Sequence, residues 1–297
     1  MIYTLGCSFT KWYWPTWSDW LAIYTKKLVV NWAYPGLTNS AIYYKLLANT
    51  ESITANDEIY IMWTGNNRSC QWYDNEWIEQ HDCRGFFPDR ELWFGQNKQE
   101  GFYKTHPDHM PSQTHLIIDN FNIIFNTQLL LDRVGCKYRM MFWQNPWLDT
   151  RETFKPSFNI LWNKKQHITK SELELARSIM SIAPVANLLT QLDWSKFINA
   201  PDCIDQPEQY SGLWEHMLDN PELILLNHEV DQHPNTATHH DWLVEKVLKC
   251  QPQCRETAVS LAQTTQKIDI PDWSSMAVID GWNSNLNKYD LNQITNQ

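Results

Sequence analysis

Four short stretches of the chain carry side chains suited to acyl transfer. Gly6-Cys7-Ser8-Phe9-Thr10 offers a serine hydroxyl, and Pro35-Gly36-Leu37-Thr38-Asn39 offers a glycine backbone. Gly65-Asn66-Asn67-Arg68 offers side-chain amides, and Asp231-Gln232-His233-Pro234-Asn235 offers a carboxylate beside an imidazole. A serine hydroxyl is a weak nucleophile and needs a base to take its proton, here His233. The imidazole in turn needs a carboxylate to fix its tautomer and stabilise its protonated form, here Asp231. Glu229 is the fallback for that acid. A tetrahedral intermediate needs donors aimed at its oxyanion, and the Ser8 N–H, the Gly36 N–H and an asparagine amide would serve. Gly36 suits the task because a missing Cβ lets its N–H come close to a substrate.

These stretches stand where a parallel sheet would place a site. Ile2 to Leu5 reads as a first strand stopped by Gly6, followed by a helix capped at Thr16 or Ser18 and running to Lys27. Leu28 to Ala33 reads as a second strand, and Thr38 to Ala48 as a helix with apolar residues at four-residue spacing. Glu58 to Thr64 is nearly continuous in apolar residues, the pattern of a strand buried on both faces. Ile117, Phe121, Ile124 and Phe125 mark a helix that ends at Gly135, and Tyr138 to Trp143 reads as a fourth strand. Strand–helix alternation predicts a parallel sheet covered by helices. Such sheets bind ligands at the carboxyl ends of their strands, which is where Ser8, Gly36 and Asn67 fall.

The remaining segments are less regular. Residues 68–112 lack a period and are rich in aromatics, including Trp72, Trp77, Trp93 and Phe94. They suit either a lid or binding loop, or a satellite aromatic core. Residues 146–222 read as mostly helical, with a capping box of Ser171 and Glu174. A stripe of Leu175, Ile179, Ala183, Ala186 and Leu189 follows, kinked at Pro184. Leu223 to Leu226 reads as a short last strand and Thr236 to Lys249 as a helix; no role is assigned to the polar tail from Gln251. The division expected is one domain over about 1–250, with insertions at about 68–112 and 146–222, then a C-terminal extension.

Composition narrows the functional class. Tryptophan outnumbers glycine, 17 to 9, and three of the glycines, at 6, 36 and 65, stand in the four stretches. A hydrophobic content of 43% is enough to build a core. The net charge of −10 argues against nucleic acid as a partner, since neutralising phosphates takes a basic face. No apolar run reaches membrane-spanning length, and the N-terminus lacks a signal-peptide layout. Seven cysteines, an odd number without zinc-ribbon spacing, suit a reduced, cytoplasmic chain. Cys250 and Cys254 at i,i+4, and more loosely His106 and His109 with His115, have spacing open to a metal, and no metal is expected.

Taken in order, the four blocks resemble the SGNH (GDSL-like) hydrolase superfamily. Its members carry Gly-x-Ser early, a glycine after the second strand, Gly-x-Asn after the third and a late Asp…His. The matches here are Gly6-Cys7-Ser8, Gly36 with Asn39, Gly65-Asn66-Asn67 and Asp231-Gln232-His233-Pro234. The resemblance implies a flavodoxin-like three-layer α/β/α sandwich over roughly 1–145 and 223–250. It also implies esterase, lipase or carbohydrate-deacylase activity without metal or organic cofactor.

Three features depart from the usual pattern. Cys7 replaces the Asp of Gly-Asp-Ser and reads as a small buried residue. The acid stands two residues before the histidine, whereas many members use three, a position held here by Val230. Arg68 replaces the Asp that often follows the third block, and Asn66 stands one residue from Asn67.

The expected substrate is an acylated small molecule or glycan. Trp12, Trp14, Arg68 and Trp72 are the candidate contacts to it, the indoles by stacking on sugar rings or lining an acyl site. The same residues would serve an O-acyltransferase that accepts a sugar hydroxyl in place of water. A silent glycan- or protein-binding module would keep the fold alone.

Overall fold

The computed structural model describes residues 1–12, 14–34, 37–65, 113–147, 170–198, 210, 212–220 and 233–265. Four parallel strands form one sheet: β1 (Ile2–Leu5), β2 (Val29–Asn31), β3 (Glu58–Trp63) and β4 (Lys137–Phe142). Their order is β2-β1-β3-β4, with Ile2 opposite both Val29 and Glu58, and Glu58 opposite Lys137. The sheet is therefore the α/β arrangement that the alternating pattern predicts. β2 is shorter than the expected 28–33 span. β4 gains a further neighbour, because the Ile198 N–H donates to the Met140 carbonyl at 2.8 Å.

Helices pack in two groups. One holds α1 (Trp17–Thr25) against α7 (Thr236–Trp242), with α6 (Leu213–Asp219) and α8 (Arg255–Thr265) against α7. The other holds α2 (Asn39–Ala48) against α3 (Gln113–Val134), with α5 (Ala183–Gln191) on α3 and α4 (Lys170–Met180) on α5. Right-handed crossovers explain the split: the step from β1 to β2 and the step from β2 to β3 run in opposite directions. That reversal creates a switch point between the carboxyl ends of β1 and β3.

Local chemistry fixes the boundaries. The Thr38 hydroxyl accepts from the Ala41 N–H at the start of α2, and the Asn235 side chain accepts from the Thr238 N–H at the start of α7. Gly135 ends α3 with φ of 75°, a left-handed conformation that costs glycine little. Tyr24 Oη accepts from the Gln253 N–H and pairs with His240 Nε2, both at 2.9 Å. His240 Nδ1 pairs with Asp241 Oδ1, and Asp241 Oδ2 accepts from Arg255 Nε, so α1, α7 and α8 are latched together.

Three expectations need correction. α4 starts at Lys170, so Ser171 lies inside the helix and not at its cap. The stripe through Pro184 is two helices, broken at Ser181–Ile182, with the proline in the first turn of α5. α4 buries Ala176 and Ile179 and leaves Leu175 exposed, and α5 buries Val185, Leu188 and Leu189. The expected helix to Lys249 changes winding at Leu243–Leu248, a π-helical run, before Lys249 turns left-handed. The expected strand at 223–226 and the segment 68–112 lie outside the described residues. Among the described residues no helix is long and apolar enough to cross a membrane.

Candidate active site

Ser8 follows β1 directly, at the switch point. The strand runs into a tight turn in which the Thr10 and Lys11 N–H groups donate to the Cys7 carbonyl. Gly6 makes the turn possible, because a Cβ there would stand 2.1 Å from Thr10 Oγ1 and 3.0 Å from the Met62 carbonyl oxygen. Thr16 Oγ1 (2.6 Å) and Asn31 Nδ2 (2.9 Å) both donate to the Thr10 carbonyl, which anchors the far side of the turn. Ser8 is buried, and Cys7 is buried completely, as a small core residue would be.

His233 reaches this turn from the other end of the chain. Its ring stacks on Trp12, with centroids 3.7 Å apart and planes 20° from parallel. Phe9, the residue after Ser8, lies 5.2 Å from the same imidazole. Trp14 Nε1 donates to the Pro234 carbonyl at 2.7 Å, and Trp20 Nε1 to the Thr236 carbonyl at 3.1 Å. The segment carrying Ser8 therefore grips the segment carrying His233 by two indole N–H groups and two ring contacts. Among the described residues no hydrogen bond joins Ser8 to His233.

The aromatic wall continues from Phe9 to Trp143, 4.3 Å away, and from Trp143 to Trp214 at 5.5 Å. Trp143 immediately follows β4. Gly212 abuts the same strand end, where a Cβ would meet the Trp143 carbonyl oxygen at 2.7 Å. Glu215 clips this corner: its carboxylate accepts from the Asn145 N–H at 2.8 Å and the Gly212 N–H at 2.9 Å. Burial pushes its pKa up to about 7, against the lowering effect of those two donors. Sequence reading passed over Glu215; its position three residues after Gly212, before an apolar run, was the available signal.

His239, on α7, is fully buried. Neither of its ring nitrogens has a hydrogen-bond partner among the described residues. Burial first, and the nearby His233 second, push its pKa down to about 3, so it is a neutral ring beside His233.

Asn39, expected to accompany Gly36, spends its amide elsewhere. Asn39 Oδ1 accepts from the Thr64 N–H at 2.7 Å, while Nδ2 donates to the Thr64 carbonyl at 3.1 Å and to Asn120 Oδ1 at 2.6 Å. It thereby fixes the backbone entering Gly65, which is buried. Trp12 and Trp14, the candidate substrate contacts, are buried, and their described contacts are with His233, Pro234 and each other. Gly36, Asn66, Asn67, Arg68, Trp72, Glu229 and Asp231 lie outside the described residues.

Among the described residues, no group of three or more His, Cys, Asp or Glu side chains is arranged to hold a metal. Cys250 and Cys254 are free thiols. No protein-family model matches the chain, and no curated protein matches it in sequence.

Proposed function

We propose that the protein is a serine-dependent ester hydrolase of SGNH type, with Ser8 as nucleophile, His233 as base and Asp231 as the group that orients His233. The observation that carries the reading is the meeting of two distant segments at the switch point of a parallel sheet. The Ser8 turn and the His233 turn are in ring contact through Trp12 and Phe9 and hydrogen-bonded through Trp14. Ligands bind at that place in open parallel sheets. A serine and a histidine brought there from opposite ends of the chain fit nucleophilic acyl chemistry better than a structural contact alone.

In the proposed reaction, Ser8 Oγ attacks the ester carbonyl carbon as its proton passes to the imidazole of His233. The carbonyl π pair moves onto oxygen, which the Ser8 and Gly36 N–H groups and the Asn67 amide are assigned to hold. Collapse expels the alkoxide, which takes the proton from His233 and leaves an acyl-Ser8. Water then repeats the sequence, releasing the acid and restoring the Ser8 hydroxyl. Acyl transfer to a sugar hydroxyl would use the same steps with a different second nucleophile. No cofactor is assigned.

The test is turnover of acetyl sugars and p-nitrophenyl esters of rising chain length by wild type and Ser8→Ala. Release of acid by the wild type alone supports the reading. Equal rates in both contradict it.

A further inference from the structure

We propose that Trp12 and Trp14 are positioning residues for His233, and that the face of Trp12 stabilises the imidazolium that His233 becomes during turnover. The proposal rests on the assignment of Ser8 and His233 as nucleophile and base. At 3.7 Å and 20° from parallel, the indole covers one face of the imidazole. A ring held so closely cannot tip without losing that contact.

The stack also changes in strength as the reaction proceeds. An aromatic face carries negative electrostatic potential and attracts a cation placed over it. Neutral His233 gains little from that field. When it takes the Ser8 proton, positive charge forms directly above the Trp12 face. The contact is therefore stronger in the transition state than in the ground state, which is the condition for raising kcat.

Trp14 fixes the other end of the histidine. Its N–H holds the carbonyl of Pro234, the next residue, at 2.7 Å. The proline ring restricts its own φ, so few free torsions remain between that carbonyl and the imidazole. Both indoles belong to the segment that follows Ser8, so one stretch of chain presents the nucleophile and holds its base. A fully buried neighbour, Trp17, packs edge-on against Trp242 at 6.4 Å and serves as a comparison without a role at His233.

The experiment measures kcat and KM on a soluble p-nitrophenyl ester, fluorophosphonate labelling rates and the NMR shifts of the His233 ring protons. It uses the full chain as wild type, Trp12→Leu, Trp12→Phe, Trp14→Phe and Trp17→Phe. Trp12→Leu is expected to lower kcat about 2- to 30-fold with KM little changed, the range of a cation–π contact. Trp12→Phe should recover part of that loss, because a smaller aromatic face remains. Trp14→Phe should also lower kcat, and Trp17→Phe should leave it unchanged.

The indole ring current displaces the His233 resonances in the wild type. They should shift in Trp12→Leu and be largely retained in Trp12→Phe. If Trp12→Leu does not fold, the two Phe variants carry the test through kcat. Wild-type kcat in both Trp12→Phe and Trp14→Phe, or His233 resonances unmoved in Trp12→Leu, would overturn the proposal. Absence of labelling at Ser8 in the wild type would instead overturn the assignment on which it rests.

Discussion

Asn39 pairs with Thr64 much as a neighbouring strand would, accepting from its N–H at 2.7 Å and donating to its carbonyl at 3.1 Å. The side chain thus completes the backbone bonding of the chain just past the end of β3. Both residues are buried, so no solvent can replace the lost partners. Asn39→Ala should cost about 2–4 kcal/mol, the penalty of leaving a buried donor and acceptor unpaired. If the proposed function holds, it should also lower ester turnover, because Asn67 stands only three residues after Thr64 in the sequence. Urea unfolding and kcat on the same preparation check both; wild-type stability would contradict the pairing.

Trp17 and Trp20 lie three residues apart on α1 and are both fully buried, yet their indole N–H groups differ. Trp20 donates to Thr236, while the Trp17 N–H has no partner among the described residues. Substitution by Phe removes a satisfied donor at one site and an orphaned one at the other. Trp20→Phe should therefore be more destabilising than Trp17→Phe by about 1–3 kcal/mol. Equal losses would show that ring volume alone decides.

Glu215 and His239 give pH dependences of opposite sign. The Glu215 pKa is raised from 4.5 to about 7, so its contribution is full below 4.5 and lost as pH rises through 7. The His239 pKa is lowered from 6.5 to about 3, so its contribution is full above 6.5 and lost as pH falls towards 3. Each slope is about 1.4 kcal/mol per pH unit. Between pH 4.5 and 6.5 the two oppose each other. Relative to wild type, Glu215→Gln should gain stability as pH rises from 4.5 to 7, and His239→Leu should gain as pH falls from 6.5. Denaturation midpoints across that range decide it; parallel curves for either variant and the wild type would contradict the assignment of that group.

The proposed acid and the proposed oxyanion donor would have separate kinetic signatures. Asp231→Asn should lower kcat by up to ~10⁴-fold if Asp231 orients His233. A mild effect there, with a severe one in Glu229→Gln, would move the acid to Glu229. Asn67→Ala should lower kcat by ~10²–10³-fold if its amide holds the oxyanion. An unchanged rate would move that role to Asn66 or dismiss it.

The sheet was legible because its strands are apolar runs bounded by glycine and by capped helices, signals that depend on a few adjacent residues. Thr16, Thr38, Gly135 and Asn235 each mark a boundary where the structure has one. α8 escaped notice because its buried residues, Ala258 and Ala262, are too small to make a conspicuous apolar stripe. The break at Ser181–Ile182 was hidden because Leu175 through Leu189 keeps a helical period across a gap in the helix. At the site, residue type and order suggested Ser8 and His233. They could not reveal that Trp12 and Trp14 would grip the histidine segment, since that depends on a fold bringing residues 12 and 233 into contact. The excess of tryptophan acquires a physical meaning there: indoles supply both a flat face and an N–H donor in one buried side chain.

Fluorophosphonate labelling with the modified residue located by mass spectrometry tests the central claim most directly. The account predicts one adduct, on Ser8, formed by the wild type and lost in Ser8→Ala and His233→Ala. A wild type that does not label, or an adduct that persists on another residue in Ser8→Ala, would contradict it.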